Sequence, residues 1–275
     1  MNNDYLHALR DLELEQALSF FPGPSHKSGR VRVLDFGAGT GRQSARMHKL
    51  GYEVLAVDLP SSAYAHERVY PVLDYNGCIL PLPDASVDLV FSSNVLEHVG
   101  DIQGILNEVR RVLTPNGITI HILPTPTWSW WTILTHYPWV MKRIAQRLQG
   151  KHLPSSNSQD HQSPSSLFRF LRSIAWPDRH GKRGSTLTEC WYYSEHWWRN
   201  AFDTSDFEII ETQPNRLFYT GSMLCGDRLS MRSRNKLSKW LGSSCRIFVL
   251  MPMSRRGLPS SDNREKRISG SRNDK

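Results

Sequence analysis

Cysteine is scarce in this 275-residue chain, and Cys78, Cys190, Cys225 and Cys245 are scattered without a CxxC pair. That spacing excludes a disulfide framework and a cysteine-based zinc centre; no metal is expected, and the usage fits a reducing cytoplasm. Long apolar runs are missing too. Nothing approaches the roughly 20 uninterrupted apolar residues of a membrane-spanning helix. Met1-Asn2-Asn3-Asp4 opens without a basic stretch followed by an apolar one, so no secretory leader is expected and the expected location is the cytoplasm. No internal repeat is present. What remains is ordinary globular composition, 39% hydrophobic and 22% charged. The length suits one α/β core with room for an inserted subdomain.

The net charge of +8 is uneven. Residues 1–140 carry 10 basic and 14 acidic side chains, 141–183 carry 9 and 2, 184–225 carry 2 and 6, and 226–275 carry 13 and 4. The basic excess thus sits in a middle segment and near the C-terminus. Such surfaces suit polyanions, anionic membranes or acidic substrates, although a solvated face explains most single charge runs.

Along the chain, Leu6, Leu9, Leu14, Leu18 and Phe21 have loose helical spacing, and Pro22-Gly23-Pro24 ends that leading helix. Residues 31–36 are short, apolar and β-branched and run directly into glycines, which predicts a buried strand and a tight turn. A helix over 41–50 should stop at Gly51. Further strands are predicted at 53–58, 69–73 and 87–92. A helix capped by Asp101 follows, its apolar stripe running from Ile102 to Leu113, and a strand at 118–123 comes next. This alternation predicts right-handed crossovers and a mainly parallel sheet. Regularity resumes with a helix near 195–202 and strands at 207–211 and 246–251. The domain expectation is an N-terminal helix and linker over 1–30, a core over 31–253 with a substrate-cap insert at 125–190, and a disordered basic tail over 254–275.

The chemistry lies in Asp35-Phe36-Gly37-Ala38-Gly39-Thr40-Gly41, with Asp58 following 21 residues after Gly37. A glycine turn after the first strand lets backbone approach a ligand closely, and an acid closing the second strand can accept both hydroxyls of a ribose. A dinucleotide fingerprint, G-x-G-x-x-G, needs its third glycine where this chain has Arg42. The GxGxG spacing, with backbone amides presented but no compact pyrophosphate cradle, suits S-adenosylmethionine (SAM). A nicotinamide-dependent oxidoreductase and a non-catalytic SAM-binding regulator are the alternatives.

Residues 33–41 resemble the first motif of class I SAM-dependent methyltransferases. Leu80-Pro81-Leu82-Pro83-Asp84-Ala85-Ser86-Val87-Asp88-Leu89-Val90 is similar to the LPFPDGSFDVV segment of their type 11 branch. Asn94-Val95-Leu96-Glu97-His98-Val99 resembles its vLEHv turn, and residues 108–117 its ExxRVLKPGG helix-turn, with Val87 and Asn116 as departures. The resemblance implies a seven-stranded, Rossmann-like sheet of order 3-2-1-4-5-7-6 with the last strand antiparallel. It implies that Gly37, Gly39 and Gly41 cradle the methionine part of SAM and that Asp35 orients its ammonium. Asp58 would bind the ribose, Leu59 lie on adenine, Asn76 meet the adenine amino group, and Asn94 face cofactor and substrate. Asp84 and Asp88 are most simply turn residues, and Glu108 and Arg111 an ion pair.

The sulfonium is already electrophilic, so the protein mainly aligns a nucleophile, with a base where the acceptor is an alcohol or phenol. His98 is one candidate. His180-Gly181-Lys182-Arg183-Gly184 followed by Glu189 is similar to an HGERGN…E segment of some type 11 relatives, which makes His180 and Glu189 the others, the alternative being a loop held together by its own hydrogen bonds. Trp128, Trp130, Trp131, Tyr137, Trp139 and Met141 crowd together just before basic residues. A substrate lid or cap is preferred to membrane contact because Pro138 should interrupt a long helix. The chain lacks the [DNS]-P-P-[YFW] turn of base-amine methylation, and no cysteine follows the fifth strand. A small-molecule acceptor, acidic or lipid-linked, methylated at oxygen, is therefore expected, with no specific nucleic acid.

Overall fold

The computed structural model describes residues 3–26, 29–148, 179–221 and 228–253. The expected disordered tail and residues 149–178 of the expected substrate-cap insert lie outside the described residues. Seven strands form the main sheet: β1 (Arg32–Phe36), β2 (Glu53–Asp58), β3 (Leu73–Asp74), β4 (Val87–Ser93), β5 (Leu113–Pro124), β6 (Phe207–Pro214) and β7 (Cys245–Pro252). Their order is β3-β2-β1-β4-β5-β7-β6. The first five pair in parallel, and β7 runs antiparallel to both β5 and β6. This is the expected order, last strand included. A small hairpin pairs Ser25–His26 with Gly29–Arg30 ahead of the sheet.

Alternating side chains divide the core between the two faces. Val33, Leu89, Phe91, Ile120, Ile122 and Ile247 pack with helices α1 (Asn3–Ala17) and α2 (Arg42–Lys49), through Leu9, Leu14 and Met47, and with Trp128. Leu34, Phe36, Val90, Leu123 and Phe248 meet the opposite layer. That layer is built by α3 (Ile102–Val112) through Ile105, Leu106, Val109 and Val112, and by α5 (Glu195–Asp203) through Trp198 and Phe202. Central strands buried on both faces read as continuous apolar runs, which is why β1 and β4 were visible in the sequence. Asp101 caps α3 as expected, accepting from the Gly104 amide at 2.9 Å.

The motifs away from the glycine turn hold the frame. Glu108 accepts from the Leu80 amide at 2.9 Å, and Arg111 donates to the Leu80 and Leu82 carbonyls while pairing with Glu108 and Asp84. Asp88 is not a turn residue: it lies on β4 and binds Arg32 through two hydrogen bonds to the guanidinium.

Three expectations need correction. The strand over 69–73 shrinks to Leu73–Asp74 with Val69 60% exposed, because Pro71 offers the ladder no N–H. Pro138 does not interrupt the helix after β5: α4 (Pro126–Leu148) runs through it. The carbonyl deprived of a partner belongs to Leu134, an exposed residue, so water can reach it. Finally, α1 is no appendage on a linker, since Leu9, Leu14 and Ala17 are fully buried in the main core. No helix among the described residues is long and apolar enough to cross a membrane.

Candidate active site

Where β1 ends, Gly37, Gly39 and Gly41 all take left-handed φ values, +77°, +56° and +74°. A side chain at Gly37 would put Cβ 2.4 Å from a Val95 methyl, and one at Gly41 would strike Tyr70 at 2.7 Å. Glycine is therefore required by space as well as by backbone angle. The expectation of free amides is corrected here. Gly37 and Ala38 both donate to the Val57 carbonyl, and Gly41 donates to Ala38. The turn supplies close approach rather than a nest of donors.

Asp58, at the tip of β2, lies directly beside that turn. Its Oδ2 accepts from the Gly39 amide at 2.9 Å and its Oδ1 from the Leu59 amide at 2.8 Å. A carboxylate has about four lone-pair sites, so two remain for a ligand on the cavity side. The cavity has a volume of about 310 Å³, the lower end of small-molecule sites. Gly37, Gly39, Asp58, Leu59, Asn94, His98 and His180 all line it. One edge is apolar through Leu59 and Tyr75; the other carries Asn94, whose φ of +56° turns it out of the end of β4.

Four of the proposed residues do other work. Asp35 is 2% exposed beneath the turn and is held by the Ser44 hydroxyl at 2.5 Å, so it does not reach the cavity. Burial raises its carboxyl to about 7. Asn76 closes its own turn, accepting from the Cys78 and Ile79 amides at 2.9 Å, and is absent from the wall. Gly41 caps α2 and makes room for Tyr70. Glu189 is buried and accepts from the amides of His180 and Gly181, so it holds the loop instead of meeting a substrate.

Part of the opposite wall carries no signal in the motifs. Helix α1 lays Leu6, His7 and Arg10 over the cavity. Glu13, fully buried one turn below, accepts from Arg10 at 2.6 Å, Tyr219 at 2.5 Å and Asn215 at 3.0 Å. A signal existed: Glu13 falls on the same helical face as Leu9 and Ala17, where an acid is out of place unless paired. His98 and His180 meet on the wall with ring centroids 4.6 Å apart, and Trp128 lies 4.7 Å from His180. Desolvation first, then neighbouring positive charge, holds both imidazoles below the ordinary histidine range. The crowded aromatics of α4 divide between two faces. Trp128 and Val140 are buried, whereas Trp130, Leu134, Tyr137 and Met141 are exposed along the other side.

Residues 34–121 match the family model described as a methyltransferase domain, type 11. The chain carries a class I methyltransferase domain of this type. Over 104 residues the chain is 35% identical to a probable S-adenosylmethionine-dependent methyltransferase of Mycolicibacterium smegmatis, covering 36% of this chain and 40% of that one. It is also 39% identical over 92 residues to a malonyl-[acyl-carrier protein] O-methyltransferase of Yersinia pestis, covering 32% and 34%. The match thus spans two fifths or less of these relatives' length. The fold of a SAM-dependent methyltransferase from Mesorhizobium loti matches over 87% of this chain and 97% of that one, with a TM-score of 0.51 and 17% identity. SAM is the cofactor of this family, and the methyltransferase domain here retains the fit. A pinned carboxylate with spare lone pairs faces a turn where Gly37 leaves no room for a side chain.

Proposed function

We propose that the chain transfers a methyl group from SAM to oxygen of a small-molecule acceptor, releasing S-adenosylhomocysteine. The observation that carries this reading is Asp58, fastened by the Gly39 and Leu59 amides with its remaining lone pairs on the cavity. Asp58 would hold the ribose hydroxyls, Leu59 and Tyr75 would flank adenine, and the Gly37–Gly39 backbone would lie against the methionine part. SAM supplies the electrophilic methyl group; this chain's residues position both reactants and exclude water. The acceptor end is the wall formed by Asn94, His98, His180 and α1.

A roof made by α1 favours a small acceptor over a base within a nucleic acid. The neutral imidazoles of His98 and His180 favour an acceptor whose hydroxyl must give up a proton. The name of the Yersinia pestis relative, an O-methyltransferase, points the same way. Free Cys78, Cys190 and Cys245 are consistent with action in the cytoplasm.

Calorimetric titration with SAM and with NAD tests the cofactor. SAM should bind and NAD should not; binding of NAD alone would overturn the reading. Incubation with radiolabelled SAM and a metabolite extract should then label an acid-stable, base-sensitive or ether-type small product, whereas label confined to nitrogen or to nucleic acid would displace the oxygen assignment.

A further inference from the structure

Glu97 is 1% exposed, yet neither of its carboxylate oxygens has a hydrogen-bond partner among the described residues. An unpaired carboxylate removed from water is costly, and burial accordingly raises this one to about 8. Its Oε1 lies 3.9 Å from His98 Nε2. His180 completes the group: one ligand atom from each of the three residues lies within 4.8 Å of the others. His98 and His180 open on the cavity, while Glu97 closes the cluster from behind.

The chain builds this meeting deliberately across 82 residues. The Lys182 amide donates to the Glu97 carbonyl at 3.0 Å, and Arg183 reaches the Leu96 and Val99 carbonyls while stacking 4.7 Å over Trp197. Any side chain at Gly181 would collide with the Glu97 carbonyl at 2.9 Å, so glycine there permits the docking. Glu189 fastens the His180 and Gly181 amides from beneath.

We infer that Glu97, His98 and His180 form a site for one divalent transition-metal ion, with an open coordination position facing the cavity. Two imidazoles and one carboxylate are a recurrent catalytic ligand set, and bonds of about 2.0–2.2 Å require ligand atoms roughly 3–3.5 Å apart. The cluster needs only a small closure to reach that spacing. The carboxylate supplies the negative charge that two neutral imidazoles lack; of the neighbouring cations, Arg10 pairs with Glu13 and Arg183 is turned to the Leu96 and Val99 carbonyls, which leaves Lys182 as the like charge an ion would meet. In catalysis, which rests on the methyltransferase reading above, the open position would take the acceptor oxygen; with an imidazole lone pair of each histidine on the metal, the hydroxyl proton would pass to bulk water instead of to His98 or His180.

The test uses the full chain, stripped with EDTA, dialysed and titrated with Co²⁺. One Co²⁺ per chain with visible d–d absorption is expected. Glu97→Gln, His98→Ala and His180→Ala should each weaken uptake more than about 100-fold, beyond the usual effect of losing an outer-shell partner. His196→Ala, at an exposed histidine on α5, should change nothing. Far-UV melting checks each fold, and the near-isosteric Glu97→Gln decides if a histidine variant unfolds. Absence of stoichiometric uptake, or uptake unaltered by the three variants, would overturn the site. SAM calorimetry on the same samples separates the two readings: SAM binding without cobalt binding sinks only the metal, and cobalt binding without SAM binding sinks only the cofactor.

Discussion

The cavity's two walls are assembled in different ways. On the cofactor side, the contact that matters joins Gly39 to Asp58, only 19 residues apart, and every participant sits at the end of a strand or in the turn after it. On the acceptor side, Glu13 bonds to Asn215 and Tyr219, 202 and 206 residues away, and His180 meets a turn 82 residues earlier. The first wall is a property of one β-turn-α unit with its neighbouring strand. The second exists only because a leading helix and a late loop converge on the finished sheet. Retaining the first wall while rebuilding the second is how such a fold can keep its cofactor and change its substrate.

The largest expected effect tests how firmly the second wall is tied down. Glu13→Ala leaves Arg10, Asn215 and Tyr219 without their shared acceptor, and should cost about 3–5 kcal/mol in chemical denaturation. A loss under about 1 kcal/mol would show that α1 is not integral to the core. Asp58→Ala tests the first wall. It should weaken SAM about 100-fold, near 2.7 kcal/mol for two charge-assisted hydrogen bonds, while the melting temperature moves little. Unchanged affinity would mean the ribose is held elsewhere.

Gly37→Ala should cost about 1–3 kcal/mol from left-handed strain and the Val95 collision together. Adding Val95→Ala should recover the packing share alone; full recovery would deny the strain. The smallest effect concerns Asp35. Its folded pKa, about 7, lies above the ordinary 3.8, so between those values the folded state holds the extra proton. The share of stability due to Asp35 should fall as pH rises from about 4 to 7, with Glu97 carrying the decline on to about 8. Asp35→Asn should flatten that slope relative to the parent; parallel pH profiles would show the carboxyl is not desolvated.

Much was legible wherever one short stretch carried the whole cause. The buried strands, the Asp101 cap, the Gly51 stop and Asp58 at a strand tip each follow from neighbours within a few residues. Asp35 misled because strand-end position says nothing of whether a side chain points into the cavity or under the turn, and Ser44, one turn into α2, had claimed it. Asn76 was placed by likeness alone and proved to satisfy its own turn. Pro138 was read as a helix break by a local rule, yet the packing of Trp128, Ile133 and Val140 on one side of α4 carries the helix through. Glu97 stood in plain view beside His98; nothing along the chain shows that a carboxylate will be buried without a partner.

Periodicity and turn chemistry were enough to predict the central strands and a mainly parallel sheet, because those features arise from backbone geometry over a few residues, whereas the strand order came from the family resemblance. The acceptor wall, the burial of Glu13 and Glu97 and the encounter of His98 with His180 were decided by folding alone. Desolvation and long-range contact depend on what distant segments cover, and no local pattern records that.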